Sequence, residues 1–229
     1  MRAALVVRKL LMIPPTSNDE AQGDNHMRHS VEKMAAKWVV SGMLGCTIAL
    51  VGISSAMAQT VPPKKLTAGI LWNQILPYHI TYIQEGHHGP IIYDFQDPNC
   101  PYCHVMYAHE APLIKAGKLT VRYVPVAFLT PQSPAEAAAW LQSPHPLAVL
   151  KHFEGIVGTA LRSGSYRHLP KSKPTAKTSE ELKRNLEMMG AMGFEGTPAI
   201  LYRVKSGQLG RIPGMISEKQ LAKLLPLLQ

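Results

Sequence analysis

Ile91-Ile92-Tyr93-Asp94-Phe95-Gln96-Asp97-Pro98-Asn99-Cys100-Pro101-Tyr102-Cys103 is the stretch that decides the fold. Its apolar, aromatic start over 91–95 predicts a strand. Pro101 suits the first turn of a helix, where its missing N–H costs nothing. Two cysteines separated by two residues at a helix start can form a reversible disulfide. The Cys100 sulfur sits where unpaired backbone N–H groups and the helix dipole favour negative charge. That lowers a thiol pKa and makes Cys100 the candidate nucleophile. Cys103, one turn inside, is the candidate resolving thiol, which attacks a mixed disulfide and frees the partner. Pro101 and Tyr102 tune the balance between dithiol and disulfide. For this two-electron couple about 30 mV corresponds to about 1.4 kcal/mol.

Downstream, the helix is expected to run to about 116, with Pro112 as a point of kinking or breakage. Gly117 closes it. Residues 119–126 read as a second strand. Ser133-Pro134-Ala135-Glu136 carries a capping-box pattern ahead of an Ala-rich helix. Further helices are expected over 146–161 and from Thr178, the latter with Leu182, Leu186 and Met189 on one face. Residues 198–204 and 209–213 read as strands joined by the turn 205–208. Ser217 to Gln220 caps a last helix carrying Leu221, Leu224, Leu225 and Leu228. Upstream, 66–76 has helical spacing interrupted by Pro77, and 86–90 reads as a turn or loop. The order β, α, β, three helices, β, β, α predicts an α/β, thioredoxin-like fold. A helical insertion over about 133–192 separates its second and third core strands. The expected catalytic domain spans 90–229, after a linker with a short helix over 59–89.

Two further elements complete the candidate site. Gly196-Thr197-Pro198 suggests a tight turn with a cis Thr197–Pro198 bond. In such a fold this loop lies against the cysteines, and its backbone can pair with an extended substrate segment. A plain strand-initiating proline is the bland reading. Asp94 lies in an apolar strand, where Asp is disfavoured. Beneath the disulfide it would be a proton acceptor for Cys103, since burial raises a carboxyl pKa. Its bland reading is an Asp on a solvated strand face.

His104 makes the motif literally C-x-x-C-H, the pattern of covalent haem attachment, with Met188, Met189 or Met192 as axial candidates. The strand-rich flanks and the Gly-Thr-Pro turn speak against this, because such a cytochrome is mostly helical. A zinc site is weaker still, since structural zinc takes about four ligands. His87-His88 reads as a solvated loop pair. The expectation is therefore no cofactor and no metal.

The chain has 229 residues and 3 cysteines. The stretch 38–57 is apolar, is preceded by Arg28, Lys33 and Lys37, and ends at Ala56-Met57-Ala58, a signal-peptidase pattern. A signal peptide over 34–58 is expected, with a membrane anchor as the rival. Cys46 would be lost with it. Residues 1–33 read as a disordered extension or a start-site artefact. Export leads to an oxidising compartment, the periplasm, where spare cysteines usually make structural bridges. Cys100 and Cys103 are too close in sequence to staple the fold. Lys and Arg number 24 against 15 Asp and Glu, a net +9. The basic run from Arg162 to Arg184 reads first as a solvated face and second as a docking patch for an acidic partner or anionic lipid. No aromatic interleaving supports nucleic-acid binding.

Three stretches together, 95–103, 133–139 and 196–200, resemble the DsbC/DsbG family of periplasmic disulfide isomerases, its DsbG branch most. CPYC alone is unspecific, because glutaredoxins carry it too. The resemblance runs from about Leu71 to the C-terminus. It implies a nucleophile at Cys100, a resolving thiol at Cys103 and a cis bond before Pro198, with Thr197 against the thiols. It also implies exported protein substrates with misoxidised or sulfenylated cysteines, and a membrane redox partner, either a DsbD-like reductant or an oxidant. Two departures modify the expectation. Residues 59–89 are too few for the family's N-terminal dimerisation domain, which points to a monomer. Asp94 stands where the family usually has an apolar residue, whereas thioredoxins have Asp. Net dithiol oxidation, a haem protein and a noncatalytic module that grips extended segments are the alternatives.

Overall fold

The structure is a computed structural model that describes residues 66–229. The extension, the signal stretch, Cys46 and residues 59–65 lie outside the described residues. Within them the chain forms helix α1 (68–79), β1 (Ile83–Glu85), β2 (Ile91–Gln96), α2 (Pro101–Lys115), β3 (Thr120–Pro125), α3 (Ser133–Gln142), α4 (Pro146–Ser163), α5 (Ala176–Ala191), β4 (Ala199–Arg203), β5 (Leu209–Pro213) and α6 (Glu218–Leu224). The five strands form one mixed sheet in the order β1-β3-β2-β4-β5. β2 runs parallel to β3, and every other pairing is antiparallel. The chain is thus mixed α/β and thioredoxin-like, with α3, α4 and α5 inserted between β3 and β4.

Burial on both faces explains the apolar character of the central strand β2. Tyr93 and Phe95 point into a cluster with Leu71 and Leu76 of α1 and Met189 of α5. Ile92 points the other way, into a cluster with Met106 and Leu113 of α2, Phe153 of α4 and Leu221 of α6. Trp140 from α3 meets Phe153 edge-on at 5.0 Å between ring centroids, anchoring the insertion to the core. Such aromatic pairs contribute about 1 kcal/mol beyond their buried area. Gly89 has φ +79, and a Cβ there would lie 2.4 Å from the Lys118 carbonyl, so only glycine lets β2 enter the sheet at that point.

Several local expectations are corrected. Pro77 does not interrupt α1. A π-helical turn, Leu71–Ile75, sits just before it, and the helix continues as Leu76–His79. The wider turn relieves the clash that proline imposes on the carbonyl four residues back. Pro112 does not break α2, which runs unbroken to Lys115. Residues 83–85, expected within the linker, form edge strand β1 against β3. Its three residues are too short for a periodicity signal. α5 begins earlier than Thr178, with Thr175 as its N-cap accepting from the Thr178 N–H. On that helix Asn185, not Leu186, faces inward. It receives Thr81 N–H and donates to the Thr81 and Pro125 carbonyls, closing ends that the sheet leaves open. The capping box at Ser217 and Gln220 is present. The one expected at Ser133 and Glu136 is not, because those side chains are used elsewhere.

Candidate functional site

Cys100 is the N-cap of α2, in extended conformation, with Pro101 at the first helical position. Its N–H donates to the Asp97 carbonyl at 3.0 Å, and its own carbonyl accepts from Cys103 N–H at 3.1 Å. Both thiols are free and nearly covered, Cys100 at 2 % and Cys103 at 1 % exposure. Tyr102 between them is 62 % exposed and forms the rim. The Cys100 thiol donates to the Thr197 carbonyl at 3.3 Å. The Thr197–Pro198 bond is cis. The Thr197 hydroxyl is buried and has no hydrogen-bond partner among the described residues. The fold therefore brings Cys100, Cys103, Thr197 and Pro198 together from the ends of β2 and β4, with Pro101 and Tyr102 exposed beside them.

The two sulfurs are electrostatically unlike. A hydrogen bond from the Cys103 thiol, outweighing burial and assisted by Thr197 and by backbone N–H groups of the first helical turn, brings the Cys100 thiol down to about 6. Burial above all, then the hydrogen bond to Cys100 and the charge of Asp94, push Cys103 upward. One thiol is poised as thiolate and its neighbour is held as the proton-bearing donor.

Asp94 is fully buried. Gln96 Nε2 donates to its Oδ2 at 2.6 Å, and its Oδ1 has no partner among the described residues. Burial raises its pKa well above the carboxylate range, opposed by Gln96 and reinforced by the charge of Cys100. The bland reading of a solvated strand-face Asp is thereby corrected. Central position in the sheet, covered by α2, denies it water.

Sequence reasoning missed the bracket that holds the Cys100 loop. Asp97 is fully buried and accepts four hydrogen bonds. Oδ1 takes Asn99 N–H at 2.9 Å and the Ser133 hydroxyl at 2.7 Å. Oδ2 takes the N–H groups of Phe128 and Leu129 at 2.8 and 3.0 Å. Asn99 Nδ2 donates to Glu136 Oε2 at 2.6 Å, and Lys171 Nζ lies 3.5 Å from Glu136 Oε1. This is where the expected capping-box side chains went. A helix N-terminus already supplied with Pro134 leaves Ser133 free to serve the neighbouring loop. The readable signal was the Asp-Pro-Asn run itself, a turn whose Asp side chain captures backbone N–H groups.

Glu110 and the pair His104–Glu154 were also missed. Glu110 is fully buried on the inner face of α2, two turns past Cys103. A charged residue in step with Cys103, Met106 and Leu113 was the signal for it. His104 Nδ1 meets Glu154 Oε2 at 2.9 Å, tying α2 to the inserted α4. That engagement, together with the five-stranded sheet, departs from the mostly helical body with a free histidine that haem attachment would want. Among the described residues no cluster of three or more His, Cys, Asp or Glu could hold a metal ion. No described helix is long and apolar enough to cross a membrane.

Comparison with known proteins places these features. The family described as Thioredoxin-like domain matches residues 79–229. The thiol:disulfide interchange protein DsbG of Pseudomonas aeruginosa is 34 % identical over 136 residues, covering 59 % of this chain and 50 % of that protein. The Escherichia coli protein of the same name is 32 % identical over 134 residues, covering 57 % and 50 %. The chain thus spans about half the length of the curated relatives it matches. Among solved structures, Proteus mirabilis ScsC in a transitional conformation superposes with a TM-score of 0.50 at 20 % identity, covering 70 % of this chain and 78 % of that one. That last likeness concerns the fold.

Proposed function

The chain belongs to the thioredoxin-like domain family, and from that premise we propose that it is an exported thiol:disulfide oxidoreductase of DsbG type. The observation that carries the reading is the asymmetry of the two cysteines, with Cys100 lowered to about 6 and Cys103 raised, side by side at a helix N-terminus. The Cys100 thiolate attacks a substrate disulfide. A mixed disulfide forms, and the other substrate sulfur leaves as thiolate and takes a proton from water. Cys103 gives its proton to Asp94 and attacks the Cys100 sulfur. The Cys100–Cys103 bond forms, the bond to substrate breaks, and the second substrate thiolate departs. Two electrons have passed from the protein dithiol to the substrate. If another substrate thiolate attacks the mixed disulfide at the substrate sulfur before Cys103 acts, a different substrate disulfide forms and the Cys100 thiolate is released, which is isomerisation with no net transfer. A substrate sulfenic acid enters the same cycle. Cys100 attacks its sulfur, and the hydroxyl leaves as water after protonation.

Near-complete cover of Cys100 sets how substrate arrives. The Thr197 carbonyl now accepts the Cys100 thiol. Ionisation of the thiol frees that carbonyl for a substrate backbone N–H, while the Thr197 hydroxyl turns to the thiolate. An extended segment would thus pair along Thr197–Pro198 and press past the Tyr102 rim. The substrates are exported proteins with misoxidised or sulfenylated cysteines. A membrane redox partner resets the pair, the compartment is the periplasm, and the protein works as a monomer. Sedimentation showing a stable dimer would overturn the last point.

Cys100→Ser tests the reading. It is expected to abolish insulin reduction and repair of a scrambled substrate, and full retained activity would remove the enzyme assignment. A second reading, net dithiol oxidation, is favoured by the same low Cys100 pKa, because a stabilised thiolate stabilises the reduced form and makes the pair more oxidising. Thiol trapping in cells separates the two. A dithiol supports reduction or isomerisation, and a disulfide supports oxidation.

A further inference from the structure

The basic run from Arg162 to Arg184 divides in two. On α5 its cations are matched within the helix. Lys177 lies 3.9 Å from Glu181, Lys183 4.0 Å from Glu180 and from Glu187, and Arg184 4.0 Å from Glu180. The segment ahead of α5 is different. Between Glu154 and Glu180 the sequence has no Asp or Glu. Arg162 near the end of α4, and Arg167 and Lys173 in the following loop, are exposed and enter no ion pair among the described residues.

This loop is held in place. Leu169 is buried, and Tyr166 packs against the same core cluster. Ser172 N–H donates to the Ala135 carbonyl of α3 at 2.9 Å. The Gln142 side chain, at the other end of α3, donates to the Lys173 carbonyl at 3.1 Å and accepts from Thr175 N–H at 2.8 Å. Lys171 Nζ lies 3.5 Å from Glu136 Oε1, and Glu136 Oε2 accepts from Asn99 at 2.6 Å. Asn99 directly precedes Cys100. The cationic face is therefore built onto the bracket that holds the Cys100 loop. A loop already ordered loses less freedom when a partner binds.

The chemistry of the face selects its occupant. Guanidinium forks pair best with carboxylates and phosphates. Lys171, at the inner end of the face, already takes a carboxylate. No large apolar side chain of the loop is exposed among the described residues, so the face lacks the groups by which amphipathic segments insert into a bilayer. We propose that Arg162, Arg167 and Lys173 form a docking face for an acidic segment of the protein whose sulfur reacts at Cys100. This deepens the exchange reading above and rests on it. The docked segment raises the local concentration of the partner at the thiols. Exchange is thereby biased towards exported proteins that carry an acidic stretch near the reacting cysteine.

Two cysteine peptides test the face. They differ only in a run of glutamates or of glutamines, joined to the cysteine by a flexible Gly-Ser spacer. Each is capped as a mixed disulfide with nitrothiobenzoate. The Cys100 thiolate of the reduced full chain attacks the peptide sulfur, and nitrothiobenzoate leaves as a coloured thiolate. At low salt the glutamate peptide should react at least about fivefold faster than the glutamine peptide, and at about 0.5 M salt the ratio should fall below about twofold. Arg162→Gln with Arg167→Gln and Lys173→Gln should abolish the preference. Lys118→Gln with Lys205→Gln and Lys219→Gln removes the same charge elsewhere and should keep it. No preference in the unsubstituted protein overturns the proposal. An equal loss in both triple variants also overturns it, because the preference then reflects overall charge alone. Cosedimentation with phosphatidylglycerol vesicles without any peptide preference makes the face a membrane contact and overturns it too. Fluorescence anisotropy of a labelled glutamate peptide, with serine for its cysteine, reads docking without chemistry. Affinity should weaken at least about fivefold in the first triple variant and hold in the second. If neither capped peptide reacts, the exchange reading falls, and anisotropy still decides the docking face.

Discussion

Asp97 and Ser133 share a 2.7 Å hydrogen bond that joins the loop before Cys100 to the first inserted helix. Cys100 is therefore not held by its own strand and helix alone. Its loop is clamped to the insertion through Asp97, Asn99, Ser133 and Glu136. Asp97→Ala removes a buried acceptor and strands the N–H groups of Phe128, Leu129 and Asn99. Those N–H groups are only part-buried and regain water in part, whereas the buried Ser133 hydroxyl also loses its acceptor, so a loss of about 2–3 kcal/mol is expected. For a domain of this size 1 kcal/mol moves Tm by about 2–4 °C. Thermal melting should show a fall of roughly 5–10 °C, and a variant that melts with the parent would contradict the clamp.

Titration of Cys100 follows from its lowered pKa of about 6. Thiolate absorbance and alkylation by iodoacetamide should reach half their maximum near pH 6 in the reduced protein. The hydrogen bond from Cys103 is the largest cause of the lowering. Cys103→Ala should therefore move the midpoint up towards an ordinary thiol, while Cys103→Ser, which keeps a donor, should move it less. The linkage sign is that of a depressed acid. Stabilisation from Cys100 is full above the unfolded thiol's value near 9 and is lost as pH falls through about 6. Denaturation of the reduced chain with and without Cys100→Ser, from pH 5 to 9, reads that window.

What the sequence made legible was what local chemistry decides. The strand before Cys100, the proline at the first helical position and the order of elements need only neighbours along the chain. The contacts joining Asp97 to Ser133, His104 to Glu154 and Asn185 to Thr81 do not. They are set when distant segments pack, and each uses a residue type with an ordinary local explanation. Ser133 and Glu136 match a capping box by spacing, and a polar Asn185 in a helical run gives no local sign of facing inward. Strand β1 has three residues and borrows its stability from β3, so its own composition says little. Leu186 was placed inward by spacing alone. Its position belongs to solvent because Asn185 is needed to close the ends of two segments.

Thr197→Val removes a hydroxyl that is buried without a partner while the thiol is neutral. The hydroxyl donates once the thiolate forms, and this is among the causes of the low Cys100 pKa. Valine keeps the shape. The midpoint of the Cys100 titration should rise, and alkylation at pH 6 should slow. Stability of the oxidised chain should hold or improve, since an unpaired buried polar group is replaced by an apolar one. A midpoint that does not move would show that Thr197 contributes only its carbonyl.

Asp94→Asn separates chemistry from stability. The raised Asp94 pKa means that folding opposes its ionisation. An acid with a raised folded pKa stabilises the fold fully only below its unfolded value near 3.8, and that benefit drains away as pH rises towards the folded value. Asparagine cannot ionise and has no such loss. The variant should therefore melt higher than the parent at pH 7, with the difference shrinking towards pH 4. Its reaction should move the opposite way, because the Cys103 proton loses the acceptor proposed for it. Mixed disulfide should accumulate, and Cys103 attack should slow by about one to two orders of magnitude. Rapid acid quenching followed by mass spectrometry counts the trapped species. A variant more stable at pH 7 yet equally fast would confine Asp94 to a structural cost without a catalytic return.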